Sequence, residues 1–394
     1  MDFGFTPEEE AFQTQVSAFV RRELPPERRR QHLDYTEQSW VDGDLETQFR
    51  KSLSASGLLS VGWPREYGGG GKKGAYNAVL AFELARAWAP GMPPQGMNIV
   101  GPSLMVFGSE EQRRHFLPRI VRGEIEFCLG YSEPGAGSDL AAIQTRATED
   151  GDDFIINGQK IFTTGAHRTE YTWMVARTNP NVPKHKGISL FLVPMATPGI
   201  TVRPLWTMSG WRHNEVFFDN VRVPRSTLVG EKDRGWYHLA IALDFERNGF
   251  VRYGEIMALL DDLVAYCKTT ARDGHPLSRK PRVRQMLAEL RTDLDVGMRL
   301  SKRIIWMQSQ GLPPNAESSM NKIWASELIQ RVCHFGTQIM GLYGCIQPPS
   351  PHQWASGRIT HGYLDNVRTT VSAGSNEIQR NVIAQRGLGL PRGE

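Results

Sequence analysis

The loop of residues 131–139 has the composition of a ligand-binding turn. It reads Tyr-Ser-Glu-Pro-Gly-Ala-Gly-Ser-Asp and follows a short apolar stretch, Phe127–Gly130, that is typical of a strand. Glycine tolerates positive φ and proline fixes φ, so this composition predicts a tight turn. Ser132, Ser138 and Asp139 supply short hydrogen-bonding groups around it. Such a turn can present backbone N–H groups and hydroxyls to a polar ligand, although a lone glycine-rich loop is more often a surface turn.

A carboxylate that could move a proton lies in a helical pattern. Residues 243–247 read Leu-Asp-Phe-Glu-Arg, inside an apolar-periodic stretch from Gly235 to Asp273. This spacing predicts a helix with Glu246 roughly three turns from its start. Periodicity alone favours a surface glutamate in an i,i+4 salt bridge, which is the commonest role of helical glutamates.

Several kinds of chemistry find no support in the sequence. No Gly-x-Gly-x-x-Gly follows a predicted strand at a βαβ position, which argues against a Rossmann fold. The 4 cysteines are far apart and form no Cys-x-x-Cys pair. Their spacing argues against a zinc site and a disulfide framework, and it favours a reducing compartment.

Composition is that of an ordinary globular protein. The chain has 394 residues, 40% hydrophobic and 22% charged residues, and a net charge of +4. That charge is small for this length, so it does not indicate nucleic acid or a membrane surface as a partner. The amino terminus has neither signal-peptide nor transit-peptide character, and no apolar run approaches membrane-spanning length. These features predict a cytoplasmic protein.

The pattern of elements changes twice along the chain. Helical periodicity fills residues 1–125, beginning with a Thr6–Glu9 capping box that has Pro7 at the first helical position. Residues 126–229 contain short β-type runs separated by turn residues, which predicts an antiparallel barrel or sandwich. Long helical patterns return in residues 230–394 and predict a four-helix bundle. We therefore expect an α+β fold with three domains at these boundaries.

Four segments in order resemble the acyl-CoA dehydrogenase family. They are residues 131–139, 158–165 (Gly-Gln-Lys-Ile-Phe-Thr-Thr-Gly), 210–224 (Gly-Trp-Arg-His-Asn-Glu through Arg-Val-Pro) and 374–381 (Gly-Ser-Asn-Glu-Ile-Gln-Arg-Asn). Four ordered motifs that span nearly the whole chain are far more specific than one. The resemblance implies an N-terminal helical domain, a central antiparallel β-barrel domain, a C-terminal four-helix bundle, and FAD as the cofactor.

The resemblance also implies which residues contact the flavin. Ser132 would bond the pyrimidine end of the ring, Thr164 would donate near N5, and Phe162 would cover one ring face. Taken alone, Phe162 is more simply a core strand residue. Arg272 would grip the pyrophosphate, although it is offset by two residues from the family arginine. The remaining implied cofactor contacts are Leu129, Tyr131, Gly137, Thr163, Gln338, Gly341, Ser375 and Glu377.

The reaction implied by the resemblance needs a base near the substrate α-carbon. Many relatives place a glutamate just before the glycine of the last motif, where this chain has Ala373, which has no proton acceptor. A minority place it on the first bundle helix, at the position of Glu246. We therefore expect Glu246 to remove the α-proton while FAD N5 takes the β-hydride. The Ala373 backbone N–H would hydrogen-bond the thioester carbonyl, and the further implied substrate contacts are Ser138, Asp244, Arg247 and Gly374.

The resemblance implies partners for the chain and leaves its assembly open. It implies a homotetramer built as a dimer of dimers and an electron-transferring flavoprotein as acceptor. A mixed tetramer would also fit, because some bacterial relatives pair an active with a silent subunit.

The activity and the substrate also stay open within this resemblance. A flavin monooxygenase or nitroalkane oxidase on the same fold would use the same cofactor, and a non-enzymatic or DNA-associated scaffold would use none. The segments Leu-Asp-Phe-Glu-Arg and Gly-Leu-Gly-Leu-Pro-Arg (387–392) resemble bacterial members of the family. Some of these act on bulky, branched or ring-bearing acyl-CoAs such as steroid side chains, which favours such a substrate but leaves the length and shape of the acyl chain open.

Overall fold

Helices occupy both ends of the chain and strands its middle. The computed structural model describes residues 4–25, 44–72, 75–90, 94–245, 249–347 and 350–391. Its α-helices, in chain order, are α1 (Pro7–Glu23), α2 (Asp44–Ala55), α3 (Tyr76–Arg86), α4 (Gly101–Phe107), α5 (Glu110–Val121), α6 (Gly235–Phe245), α7 (Phe250–Thr269), α8 (Pro281–Ser309), α9 (Asn315–Met340), α10 (Arg358–Asp365) and α11 (Asn376–Val382). Two π-helical segments cover Gly96–Val100 and Ile383–Gly387.

The first helix begins where the capping residues predict. The Thr6 hydroxyl accepts a hydrogen bond from the Glu9 backbone N–H at 3.2 Å, and the Thr6 N–H donates to the Glu9 carboxylate at 2.9 Å. Pro7 occupies the first turn, where a missing N–H costs nothing. The capping box therefore satisfies two backbone N–H groups that helix geometry leaves without partners.

The central strands form one mainly antiparallel sheet. They are β1 (Phe127–Gly130), β2 (Arg146–Asp150), β3 (Asp153–Lys160), β4 (Tyr171–Arg177), β5 (Ile188–Pro194), β6 (Ile200–Trp206), β7 (Arg212–Pro224) and β8 (Leu228–Val229). Their order is β6-β7-β3-β2-β4-β5-β8, and β1 also pairs with β4. A two-stranded hairpin, β9 (Ala271–Arg272) with β10 (His275–Pro276), precedes α8.

The α+β class is confirmed, with two differences in the sheet. Both β1 and β2 pair with β4 in parallel, whereas an entirely antiparallel sheet was expected. The connection from β1 to β4 includes β2 and β3 and is long enough for a parallel return, which needs roughly a dozen residues or more. Within the described part of the chain, no pairing joins the outer strands β6 and β8, so the strands trace an open path.

The middle of the sheet is buried on both faces. Residues 188–193 of β5 are all buried, as are residues 172–176 of β4. Burial on both faces explains why these strands are mostly apolar along their length instead of alternating. By contrast, β6 has no fully buried residue and lies at the end of the strand order.

The chain divides into two units. One joins Met1–Asp42, Lys72–Met92 and Asn248–Glu394, and the other joins Gly43–Gly71 and Pro93–Arg247. In the first unit, α7, α8 and α9 pack together, α10 and α11 pack on α9, and α3 packs on α7. The second contains the sheet with α2, α4, α5 and α6. The division into domains at residues 125 and 229 stays a prediction.

The helix expected from Gly235 to Asp273 is instead two helices. The first, α6, ends at Phe245, and α7 begins at Phe250 after Gly249. Gly249 has φ +62, a conformation that favours glycine, and a Cβ there would lie 2.3 Å from the Asn321 side-chain nitrogen. Apolar periodicity persists across this position, so it gave no sign of the break.

Candidate functional site

A buried ion pair fixes the 131–139 loop to β3. The Glu133 N–H donates to Ala136 O at 2.9 Å, and the Ala136 N–H donates back to Glu133 O at 3.0 Å. The Glu133 carboxylate accepts from the Lys160 ammonium at 2.7 Å and from the Thr145 N–H at 3.0 Å. Lys160 also donates to Tyr131 O at 3.2 Å. Glu133 therefore holds the turn together.

For each member of this pair, burial and the charge of the partner shift the pKa in opposite directions. Burial favours the neutral form of Glu133, but the Lys160 ammonium and several hydrogen bonds outweigh it, so the pKa of Glu133 lies below its usual range. Burial lowers the pKa of Lys160 to about 8, against the attraction of Glu133. At neutral pH the pair is therefore ionised and supports the loop as an ion pair.

The segment after β3 carries two exposed side chains beside this loop. The Ile161 N–H donates to Ser132 O at 2.9 Å, which joins the segment to the loop. Phe162 has φ +57 and is 59% exposed, so it is not the core strand residue that its sequence alone would suggest. A left-handed φ costs a non-glycine residue ~1–2 kcal/mol, and such strain often marks functional segments. Thr164 is also exposed.

Thr163, between these two residues, points inward. Its N–H donates to Asn214 O at 3.0 Å. Its buried hydroxyl has no hydrogen-bond partner among the described residues. The Thr164 hydroxyl lies 2.8 Å from His213 Nδ1. The segment therefore combines an exposed aromatic side chain with two hydroxyl groups.

The remaining predicted residues of the loop differ in exposure. Leu129 is half-buried in β1, whereas Gly137 and Ser138 are exposed. A Cβ on Gly137 would meet no atom within 4 Å, so the loop is open there. Asp139 forms an exposed ion pair with Lys184 at 2.6 Å. The open part of the loop thus lies around Ser138.

Three predicted cofactor residues of the other unit lie at or beside the carboxyl end of α9. Arg272, in the β9–β10 hairpin, donates from Nη2 to Ile339 O at 2.8 Å. A Cβ on Gly341 would lie 3.4 Å from the same Nη2 atom. Gln338 is exposed near the carboxyl end of α9, and its Nε2 atom lies 2.9 Å from His334 Nε2. The hairpin therefore places a guanidinium beside the carboxyl end of α9 despite the two-residue offset.

The last predicted segment is a strained and exposed turn. Ala373 has φ +54 and Gly374 has φ +80. The Gln379 side-chain amide donates to Ala373 O at 3.1 Å, and Ser375 caps α11 by accepting from the Ile378 N–H at 3.3 Å. Ala373 is exposed, and its N–H makes no hydrogen bond to any described residue. A free backbone donor is thus presented at position 373.

The predicted base cannot be placed in this geometry. Glu246 and Arg247 lie outside the described residues, and so does the side chain of Asp244. Among the residues described, no group of three or more histidine, cysteine or acidic side chains could hold a metal ion. In the same part of the chain, no helix is both long enough and apolar enough to cross a bilayer.

The fold and these segments define a flavin-dependent acyl-CoA dehydrogenase. The chain matches the acyl-CoA dehydrogenase N-terminal domain over residues 6–124, the middle domain over 128–221 and the C-terminal domain over 233–388. It belongs to the acyl-CoA dehydrogenase family. The enzyme is therefore an oxidoreductase that dehydrogenates acyl-CoA thioesters, with FAD as its cofactor.

Particular relatives match over nearly their full length. The chain is 32% identical to the acyl-CoA dehydrogenase FadE26 of Mycobacterium tuberculosis, covering 100% of this chain and 99% of the relative. It is 37% identical to IpdE1 of the same organism, covering 87% and 88%. Among solved structures, the Tcur3481-Tcur3483 steroid ACAD is 35% identical with a TM-score of 0.92, covering 100% of both chains. The ChsE4-ChsE5 complex from M. tuberculosis is 32% identical with a TM-score of 0.89, also covering 100% of both.

The residues that are present fit FAD. The exposed face of Phe162 suits a flat conjugated ring, since aromatic faces stack on such rings. The buried Thr163 hydroxyl has an unused hydrogen-bonding capacity that a polar ring edge could satisfy. The Arg272 guanidinium suits a diphosphate because its donors match phosphate oxygens. Each unit thus contains groups whose chemistry suits a part of the cofactor.

Sequence reasoning missed several residues that support these segments. Lys160 belongs to one of the four motifs, but its anchoring of the loop was not predicted. Lys322 and Asn376, which join α9 to the strained turn, were not predicted either. The available signal was a charged residue within a motif, Lys160. A single sequence does not show which charged side chains are buried in the fold.

Proposed function

We propose that this enzyme introduces a trans double bond between the α- and β-carbons of an acyl-CoA, with Glu246 as the base. The observation that carries the proposal is at position 373. Alanine there offers no proton acceptor, while the residue is exposed and its N–H has no partner among the described residues. That combination supports a donor at this position and a carboxylate elsewhere. Glu246 occupies the second position that the family uses for the base.

Each group of residues has a separate task in this proposal. The Glu246 carboxylate accepts the α-proton. The Ala373 N–H donates to the thioester carbonyl oxygen and stabilises the charge that develops there, by ~3–4 kcal/mol for a donor of this kind. Ser138, Asp244, Arg247 and Gly374 bind and orient the thioester. FAD, when bound, supplies the acceptor that takes the β-hydrogen as hydride.

The proposed cofactor contacts come from both the β-rich and the helical parts of the chain. Ser132 and Thr164 hydrogen-bond the ring, Phe162 covers it, and Arg272 binds the pyrophosphate. The remaining proposed contacts are Leu129, Tyr131, Gly137, Thr163, Gln338, Gly341, Ser375 and Glu377. Their chemistry supports this assignment, since it combines hydroxyls, exposed backbone and one guanidinium.

Substitution of the proposed base tests the mechanism. Glu246→Gln keeps the side-chain shape but cannot accept the proton, so we expect the rate of flavin bleaching by acyl-CoA to fall about 1,000-fold or more. Acyl-CoA binding, which is measured by the shift of the flavin spectrum, should remain. Glu111→Gln, an exposed glutamate on α5, is the matched control. Full activity of Glu246→Gln would show that the base is another group.

We propose a bulky, ring-bearing acyl-CoA as the substrate. The similarity to the steroid ACAD over the whole chain supports this class. Wild-type protein should bleach faster with a steroid-side-chain acyl-CoA than with straight-chain acyl-CoAs, and branched acyl-CoAs should lie between them. A preference for a straight chain would contradict the substrate class but not the reaction.

We propose that the chain works within an assembly and passes electrons to an electron-transferring flavoprotein. Two of the similar structures are named by two different chains, Tcur3481-Tcur3483 and ChsE4-ChsE5. These names support a mixed tetramer, with this chain as the active subunit, as the alternative to a homotetramer. Purification with and without a co-expressed homologous subunit, followed by activity measurement, would separate the two forms.

A further inference from the structure

A hydrogen-bond network joins α9 to the strained turn at Ala373. Asn376, the first residue of α11, is only 3% exposed. Its Oδ1 atom accepts from Lys322 Nζ at 2.8 Å and from the Ser326 hydroxyl at 3.2 Å. Its Nδ2 atom donates to Glu327 at 3.2 Å. Both ends of the Asn376 amide are therefore satisfied, which fixes its orientation.

The position of Lys322 is energetically unfavourable for a charged side chain. Its side chain is half-buried, and burial lowers its pKa to about 8 despite the nearby carboxylates Glu377 and Glu327. Arg252 lowers that pKa further. Burying an ammonium opposes folding unless its bonds compensate. An apolar side chain of similar length would fill the same space without that cost, so filling space does not explain Lys322.

The turn before Asn376 has a strained backbone conformation that neighbouring contacts must stabilise. Ala373 and Gly374 have φ +54 and +80 in succession. The left-handed conformation is strained for alanine, so it persists only where neighbouring contacts determine it. Gln379 supplies one contact through its bonds to Ala373 O and Gly374 O. The Lys322–Asn376 bond supplies a second, just beyond Gly374 in the sequence.

The residue next to Lys322 holds a second segment. Asn321 is 1% exposed and accepts from the Tyr253 hydroxyl at 2.6 Å. It also lies directly against Gly249, which precedes α7. Two neighbouring residues of α9 therefore hold the strained turn and the start of α7. In the sequence, that start is only a few positions after Glu246.

We propose that Lys322 is a positioning residue for the dehydrogenation. Through Asn376 it keeps the Ala373–Glu377 turn in the conformation that presents the Ala373 N–H to the thioester carbonyl. Lys322 contacts neither the substrate nor the reacting atoms in this role. The inference rests on the proposed function of Ala373, but the conformational part can be measured without any substrate.

Lys322→Met removes the ammonium and keeps most of the side-chain volume. We expect hydrogen exchange of the backbone amides in residues 371–379 to become about tenfold faster, because Asn376 loses the shortest of its three side-chain hydrogen bonds. With the best acyl-CoA of a straight, branched and steroid-side-chain panel, kcat and kcat/KM should both fall about tenfold while KM changes little. FAD content and melting temperature should stay close to wild type. Lys322→Arg, which keeps the charge and donors, should recover most of the rate.

Matched variants separate positioning from general destabilisation. Lys268→Met changes an exposed lysine on α7 and should alter neither exchange nor kcat. If Lys322→Met does not fold, Lys322→Gln keeps a donor for Asn376 and should give intermediate exchange. Unchanged exchange in residues 371–379, or loss of FAD with normal exchange, would overturn the proposal. Wild-type protein that no acyl-CoA bleaches would refute the proposed function, and the exchange result would still test the anchor.

Discussion

At the scale of single residues, the Glu133–Lys160 pair shows how a glycine-rich sequence becomes a fixed loop. Lys160 is fully buried, and the Glu133 side chain is 5% exposed. Removing two charges from water is costly, and their attraction repays that cost only with good geometry and further hydrogen bonds. Here Tyr131 O and the Thr145 N–H provide such bonds. The pair therefore contributes mainly to the unique conformation of the loop.

Removing only one partner should be much worse than removing both. Lys160→Met would leave the Glu133 carboxylate buried without its cation, and we expect the free energy of unfolding to fall by about 3–5 kcal/mol. The double variant Lys160→Met with Glu133→Gln should recover a large part of that loss. Chemical denaturation measures both, and the FAD content of the purified proteins should follow the same order.

An exposed pair from the same loop provides the control. Lys184 and Asp139 are each 57% exposed, so Lys184→Met should change the free energy of unfolding by less than about 1 kcal/mol. Equal losses for Lys160→Met and Lys184→Met would mean that burial of the Glu133–Lys160 pair has no special energetic importance.

At the scale of elements, one buried carboxylate connects β1 to the π-helical segment Gly96–Val100. Glu126 immediately precedes β1 and is 8% exposed. Its Oε1 atom accepts from the Gly96 N–H at 2.7 Å and from the Phe127 N–H at 2.8 Å. Burial raises the pKa of Glu126 to about 7, although Arg50 and these two bonds favour the charged form. Glu126 thus holds two elements together and titrates near neutral pH.

This raised pKa predicts a pH dependence with a definite sign. Folding favours the protonated form, so the contribution to stability is complete below the unfolded-state value near 4.5 and is lost as pH rises through about 7. The loss should approach ~3 kcal/mol at pH 8 or above, if no relaxation occurs. Glu126→Gln keeps the acceptor for both N–H groups and should remove this loss.

The measurement is the difference between the unfolding free energies of wild type and Glu126→Gln at several pH values. The difference should grow in favour of the variant between about pH 5 and 8. Glu111→Gln, at an exposed position of α5, is the control for the substitution itself. A constant difference for Glu126→Gln would show that its carboxyl does not have a raised pKa in the folded protein.

The elements were predictable to the extent that short-range chemistry determines them. The capping residues Thr6 and Glu9 locate the start of α1, and recurrent turn residues indicate the strands. The break before α7 depends on the contact of Gly249 with Asn321, which is distant in the sequence. The parallel pairing of β1 with β4 likewise depends on distant partners. Propensity and periodicity contain no information on such long-range contacts.

The candidate site was predictable where motifs are contiguous. The loop residues, Thr163–Thr164 and the 373–377 turn follow from the resemblance, and their roles stay predictions. The supporting roles of Lys160, Glu126 and Lys322 were not predictable in this way. Their importance comes from burial, and a charged side chain in a sequence is by default expected at the surface.

At the scale of the whole molecule, exposed apolar side chains suggest assembly. In the unit that contains α7 to α11, Leu342 is 88% exposed, Val371 67% and Leu388 69%. Further exposed apolar residues of this unit are Val296, Leu312, Met320, Trp324, Tyr343, Tyr363, Val367 and Leu390. Scattered exposed apolar residues are normal, but among the described residues this unit has more of them than the other unit, and another chain could cover this apolar area.

We therefore expect the purified protein to have a mass in solution that is a multiple of the 44.3 kDa of one chain, measured by light scattering after gel filtration. Leu342→Arg puts a charge among these exposed apolar residues. Because burying an unpaired charge in an interface is costly, the oligomer should dissociate at micromolar concentration. Met208→Arg, which changes a 78% exposed residue of the other unit, should leave the mass unchanged. If the wild type has the mass of a single chain, these apolar residues would have to bind a different partner chain. Co-expression with a homologous subunit should then give the larger mass.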